Sequence, residues 1–529
     1  MRIAVRHFSK ALTLGFGALG LVGLSLAAAC SDDDVGANVT PDASTDTGVG
    51  PGEMDAADSA LPPVSGVTVD ETQFLGADQL QQWQVDLDNR GLRATGSVAH
   101  EGYVDELMAR LSAAGVPQLH FENVPLTRWS VDSWSLEVTS GGNPGAVETA
   151  SYIPYSGQTP TEGETAPLVA YSEAAATGGQ LAGKIVLFQV PKAPVTLGVF
   201  QALSLRTYDP AQTVSPSTPY DRSYMAIGAL TALLEKLQAA GAAGAIGVLD
   251  APAVTAHGTY FPYDRKIRQV PSLFVDRVVG ARLAAEIGSQ VKLTLPAKVE
   301  TVQTRNLIGM IPGATDELTV VNSHTDGTNG IEDNGPNAIV GIAKYLSRVP
   351  KAELPRSIMI LLSSGHFAGG AGAEAFLAAH RDDGLTARIA SILTIEHMGA
   401  QEWLPDDSGV LAPTGKPEPS AIFMPNVTPL VDAAYAALER ADAAPSFVMP
   451  PLNPNADGAA DTAAWPGEGQ YFWAQGQITT ANYITGPTYL LNWGITTADK
   501  VDYARMRREA VSFTQMLLDL SRIPASSLR

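Results

Sequence analysis

Side chains able to hold a metal ion or move a proton cluster after three apolar runs in the second half of the chain. Leu318 to Val321 leads into Asn-Ser-His324-Thr-Asp326-Gly, Ser357 to Leu362 into Ser-Ser-Gly365-His366-Phe367, and Ile389 to Ile395 into Glu396-His397-Met-Gly399. Ala338 to Leu346, between the first two runs, has helical spacing, so the pattern is β-α-β and implies a parallel sheet buried on both faces. Ligands bind such sheets outside the carboxyl ends of the strands. Three of the eight histidines therefore meet at one edge with Asp326, Asp333 and Glu396. Imidazole and carboxylate together make a metal site or an acid-base pair for hydrolysis. Glu332, beside Asp333, is a further base candidate.

The rest of the composition narrows the chemistry. The chain has 529 residues, enough for two or three domains, and 34 basic against 55 acidic side chains give a net charge of −21. Such a surface repels phosphate backbones, so no nucleic-acid partner is expected. The single cysteine, Cys30, excludes an internal disulfide and a multi-thiolate zinc site. It also lies in the export signal, which excludes thiol catalysis. No G-x-S-x-G elbow is present, which argues against a serine hydrolase. Any metal must sit on His, Asp and Glu.

Residues 1–30 read as an export signal: Arg2, Arg6 and Lys10 precede an apolar run from Ala11 to Ala29 that ends at Cys30. The end resembles the lipobox of bacterial lipoproteins, with Ala27 where Leu is usual, so Cys30 is the expected lipidation point. The expectation is an exported, membrane-anchored lipoprotein that touches the membrane only through its lipid, or otherwise a secreted protein. Gly15-Phe-Gly17-Ala-Leu-Gly20 imitates a dinucleotide fingerprint but lies inside this signal, with no strand before it. Residues 31–72 are poor in large apolar side chains and read as an acidic, disordered linker.

Order is expected from residue 73, with 73–149 and 300–529 forming the main domain around an insert, 150–299. Val104, Leu107, Met108 and Leu111 recur at helical spacing, with Ser97 as N-cap and Gly115 as stop. Within the insert, Leu181 to Val190, Ala245 to Leu249 and Val270 to Asp276 read as strands, and Met225 to Ala240 and Val278 to Ile287 as helices. The phrases GKIVLF, AAGAAGAIGVLD and VPSLFVD together resemble the protease-associated domain, a module inserted in several peptidases. His257 falls in a loop of this insert and reads as a surface residue. His100 and His120 read as structural, His380 as a partner of a helix C-terminus, and Tyr471, Trp473 and Trp493 as core.

Asn306-Leu-Ile-Gly-Met-Ile-Pro312-Gly, Ser323-His324-Thr-Asp326, Asp333-Asn334, the strand before Gly365, Leu393-Thr-Ile-Glu396 and the closing Asp499-Lys-Val-Asp502 resemble, in order and spacing, the zinc aminopeptidase and glutamate carboxypeptidase family. The resemblance covers roughly residues 76 to 529. It implies an α/β zinc exopeptidase fold, a mostly parallel twisted sheet flanked by helices with a β-rich insert. It also implies two zinc ions bridged by a carboxylate, which activate water and polarise a scissile amide carbonyl. By this resemblance His324 and Glu396 are metal ligands, Asp333 is the bridging carboxylate, and Asp326 orients His324.

Two positions depart from the pattern. The family has consecutive glutamates, base then ligand, where this chain has His366 and Phe367, and its last histidine ligand falls at Asn492. Three readings follow. His366 replaces the missing base beside one ion held by His324, Asp333 and Glu396; or His366 or His397 has become a ligand in a rebuilt site; or the site is inert and the chain is a receptor-like binding protein. The first two imply a zinc-dependent hydrolase, with one ion or two, acting on a peptide or small amide, a non-peptide amide included.

Overall fold

The structure is a computed structural model, and it describes residues 61–452 and 465–529. The export signal, Cys30 and the linker up to residue 60 lie outside the described residues. Among the described residues the largest sheet has nine strands, in the order His120–Ser130, Lys298–Ile311, Arg356–Ser363, Thr315–His324, Ile389–Ile395, Thr480–Thr485, Ser420–Phe423, Ser446–Met449 and Arg206–Tyr208. The four central strands, from Arg356–Ser363 to Thr480–Thr485, are mutually parallel, so their carboxyl ends share one edge.

The apolar runs are continuous because both faces are covered. Val321, Ile360 and Leu393 face the cluster that includes helices Val98–Ala113, Gly335–Leu346 and Tyr503–Leu520. Val320, Leu361 and Ile392 face the opposite cluster, with Phe376 and Phe472 from helices Ala371–Ala379 and Gly469–Ala474. Each such side chain contributes about 1.5–3 kcal/mol through burial. Helix Val98–Ala113 starts where the sequence signals it: the Ser97 hydroxyl accepts from the His100 amide, and Gly115 follows with φ of +75°. Helix Tyr503–Leu520 is capped likewise, Asp502 accepting from the Arg505 amide.

Two boundaries differ from the sequence expectation. Val64 and Phe74 are buried, and Gly66, Val69 and Asp70 donate backbone hydrogen bonds to Glu353, Gln515 and Tyr345. The segment from residue 61 therefore packs on the main domain, although its composition reads as linker, because a few well-placed apolar contacts and caps suffice. The second sheet, of eight strands, takes strands from Ser135–Val138 through Gln290–Thr294, so it begins before residue 150. Arg206–Tyr208, inside the insert by sequence, pairs with Ser446–Met449 and closes the edge of the large sheet.

His380 follows helix Ala371–Ala379, as expected, and its two ring nitrogens face Asp383 at 2.6 Å and Glu122 at 2.8 Å. Burial opposes its charge, but these carboxylates outweigh burial and raise its pKa. A raised folded pKa stabilises most below the unfolded value of about 6.5, and that contribution is lost as pH climbs through the folded pKa. His380→Gln is therefore expected to lower Tm more at pH 6 than at pH 9. Thermal unfolding at the two pH values checks this, and an equal loss at both would remove the charge argument.

Candidate metal centre

The strand Thr315–His324 delivers His324 to the sheet edge with its side chain fully buried. Its Nδ1 donates to the Asp326 carbonyl at 2.8 Å. A carbonyl can only accept, so the proton sits on Nδ1 and Nε2 carries a bare lone pair. His397 is held in the same way, Nδ1 donating to the Thr485 carbonyl at 2.7 Å while the Thr485 hydroxyl donates back to the His397 carbonyl at 2.7 Å. These bonds brace a left-handed backbone at His397, φ +52°. The Asn334 side chain ties this turn to the Glu332 loop, donating to the Met398 carbonyl and accepting from the Met398 amide, both at 2.9 Å.

What these turns enclose is a set of acceptors. His324 Nε2, His397 Nε2, Glu332 Oε2 and Glu396 Oε2 are buried and have no hydrogen-bond partner among the described residues. His397 Nε2 lies 3.3 Å from a Glu332 oxygen and 4.0 Å from a Glu396 oxygen. Ligand atoms of His324, Glu332 and His397 all fall within 4.8 Å of one another. Lone pairs facing carboxylates at such distances repel unless a proton or a metal cation lies between them. The ionisation behaviour has the same cause. Burial, then the neighbouring His366 and His397, holds His324 well below its usual value; burial raises Glu396 to about 7; and His397 is raised by Glu332 and Glu396 against the cost of burial. The donor set is two imidazoles and two carboxylates, which fits a zinc ion.

The other residues singled out by sequence are placed as follows. The Asp326 carboxylate does not orient His324, whose Nδ1 is 4.0 Å from it. It accepts the backbone amides of Gly365, His366 and Phe367 at 2.9–3.1 Å and the Thr95 hydroxyl at 2.6 Å, so it shapes the turn that carries His366. Asp333 does not face the acceptor set: both its oxygens are taken by Arg93, at 2.5 and 2.7 Å. Its neighbour Glu332 turns inward instead. His366 stacks on His324 with ring centroids 4.3 Å apart, and its Nδ1 faces Glu468 Oε2 at 3.1 Å. Burial works against its charge, yet Glu468 and then Glu396 and Glu332 raise its pKa to about 9.

Sequence reasoning passed over Glu468 and Tyr263. Glu468 accepts from His366 and from the Ser363 hydroxyl at 2.7 Å, and its own amide donates to Glu396 Oε1 at 2.6 Å. The only sequence signal is a glutamate between Gly467 and Gly469, and a side chain on Gly467 would meet Glu396 Oε2 at 2.9 Å. Tyr263, from the insert, lies 5.3 Å from the His366 ring and 4.9 Å from Phe367, and its carbonyl accepts from the Gly369 amide at 3.0 Å. Phe367 is core, covered by Tyr260 and Tyr263. Asn492 is turned away and donates to the Thr255 and His257 carbonyls of the insert. His100 bonds Thr325 inside the core, whereas His257 is exposed.

Asp326→Asn would set an amide NH2 against backbone N–H donors that now share a carboxylate. The expected cost is about 2–3 kcal/mol from unsatisfied buried groups, read by denaturant unfolding. A loss below about 0.5 kcal/mol, within the range of ordinary surface changes, would contradict the role given to this carboxylate.

No family model matches the chain, and no curated protein matches it. Solved structures do. The zinc aminopeptidase BSAP from Bacillus subtilis aligns with a TM-score of 0.57 at 13% identity, over 85% of this chain and 97% of that one. A peptidase M28 precursor from Shewanella amazonensis SB2B aligns at 0.55 and 17% identity, over 84% and 96%, and an aminopeptidase from Aneurinibacillus sp. strain AM-1 at 0.52 and 15%, over 85% and 95%. At these identities the likeness is one of fold: the chain has the mixed α/β architecture of the M28 aminopeptidase structures, large sheets flanked by helices.

Proposed function

We propose that this protein is a zinc-dependent hydrolase of amide bonds, exported and held to a membrane through Cys30. The observation that carries the reading is the set of four buried side-chain atoms on His324, Glu332, Glu396 and His397 that have no hydrogen-bond partner among the described residues. These residues would hold the ion. A bound zinc polarises a carbonyl and lowers the pKa of water at an open position. The remaining work belongs to the chain. The Asp326 and Thr485 carbonyls fix the tautomers of His324 and His397, so both present Nε2. Glu468 keeps His366 protonated, which suits it to donate a proton, to a developing oxyanion or a departing amine, rather than to act as the base. Tyr263 and Phe367 wall this side of the site and limit water. The substrate class is a peptide or small amide.

Zinc titrated into the metal-free chain is expected to bind tightly and raise Tm, with about 4 kcal/mol of stabilisation when zinc is a thousandfold above Kd. His324→Ala and His397→Ala should abolish that rise while keeping the fold. The zinc-loaded chain should cleave members of a panel of aminoacyl and acyl anilides, and His366→Ala should lower kcat by about 10²–10⁴ with zinc affinity retained. Tight zinc binding with no turnover across the panel would favour the receptor-like reading, and failure to bind zinc would end the metal reading. Lipid attachment has its own test: labelled palmitate incorporated by wild type during expression in a bacterium should be absent from Cys30→Ser.

A further inference from the structure

The buried charges around the candidate metal centre pair off until only two are left. The Asp326 carboxylate is consumed by three backbone amides and a hydroxyl. Glu468 is matched by His366 and Ser363. Asp333 is matched by Arg93, both side chains fully buried. Glu332 and Glu396 remain, each with an oxygen that has no partner among the described residues. Two negative charges neutralise one dication, and a second would find no unpaired anion in a medium where unbalanced charge is costly.

Arg93 is itself a built feature. Its Nε and Nη2 grip Asp333 in a bidentate pair, Nη2 also donates to the Asn329 carbonyl at 2.7 Å, and Nη1 donates to the Leu87 carbonyl at 3.2 Å and to the Gly91 carbonyl. Every guanidinium N–H is used. Its backbone is held to Gly327 by a two-way bridge, Arg93 N donating to Gly327 O at 2.9 Å and Gly327 N to Arg93 O at 3.2 Å. A side chain at Gly327 would come within 2.8 Å of the Asp333 carboxyl carbon, so only glycine lets this pair close. A planar fork fits a carboxylate as an ammonium cannot.

We propose that Arg93 is the fixed cation of this site. By occupying both oxygens of Asp333 it excludes a second metal ion, turns Glu332 rather than Asp333 toward the histidines, and limits the centre to one ion per chain. This rests on the metal reading above and names its stoichiometry and the residue that sets it; Arg93 is a positioning residue and does not touch substrate.

The test is the number of zinc ions per full chain, measured by elemental analysis after chelator stripping and saturation, with cobalt loading as an independent spectroscopic count. Wild type is expected to hold one tight ion, and its cobalt form to give the paramagnetic resonance of an isolated ion. Arg93→Met, which frees Asp333, should rise to two, and adding Asp333→Asn to it should restore one. Two ions in wild type, or a spin-coupled cobalt pair, would overturn the proposal while leaving the metal reading intact; no ion at all would overturn both. A folded Arg93→Met chain, checked by circular dichroism and Tm, that still holds one ion would remove Arg93 as the cause. Should that variant not fold, the wild-type count and the cobalt spectrum still decide whether the centre is limited to one ion.

Discussion

Four unpartnered polar atoms facing one another in a buried space are the constraint on which the candidate metal centre depends. Such an arrangement is unstable in isolation, because each lone pair loses its water and gains only repulsion. It persists because the surrounding backbone fixes every participant from outside. Carbonyls of Asp326 and Thr485 accept hydrogen bonds from the two histidine Nδ1–H groups, Asn334 fastens the two acidic turns together, and the Glu468 amide and Asn482 hold the far oxygen of Glu396. The strain in the left-handed His397 belongs to the same economy. A parallel sheet supplies the setting, since it brings the ends of four strands to one edge without requiring them to be close in sequence.

Side chains between residues 150 and 299 are part of this scaffold. Tyr155 donates to the Phe367 carbonyl at 2.8 Å, and the Tyr263 carbonyl accepts from Gly369, so one arm of the insert grips the turn that carries His366. Arg222 and Tyr220 donate to the Gly486 carbonyl at 2.8 and 2.9 Å, and Tyr224 to that of Pro487 at 3.1 Å, so a second arm grips the segment just beyond Thr485, which holds His397. Arg222 in turn is paired with buried Glu418 at 2.8 Å. Both histidine carriers are thus held by side chains from this stretch. Its bearing on the site is therefore mechanical as well as steric.

The fold was legible where burial is two-sided. Ile389–Ile395 has the bounds its apolar run suggests, and Ser97 caps its helix, because such signals are local. The linker boundary was not legible, since burial of Val64 depends on partners near residues 345–353 that no local pattern reveals. Within the site, strand ends pointed to His324, His366, Glu396 and His397. The resemblance made Asp333 the ligand and left Glu332 a base candidate, and the structure reverses the order, because Arg93, 240 positions before Asp333, holds the Asp333 carboxylate while Glu332 joins the histidines. Glu468 and Tyr263 sit in segments with no periodic pattern, and only tertiary packing brings them to His366.

Dryness links these features. Tyr260 and Tyr263 cover Phe367, which stands where a charged side chain would admit water, and the His324 and His366 rings stack beneath them. Excluding water strengthens every electrostatic contact inside, attractive or repulsive. A wet site could leave Asp333 or Asp326 unpaired at little cost. A dry one cannot, so each carboxylate must be matched by a guanidinium, an imidazole or a row of amides, or else be reserved for a cation. The apolar side chain at residue 367 and the charge pairing at residues 93 and 333 are then two consequences of one constraint. Aromatic walls lower the local dielectric, and a low dielectric leaves little room for unpaired negative charge.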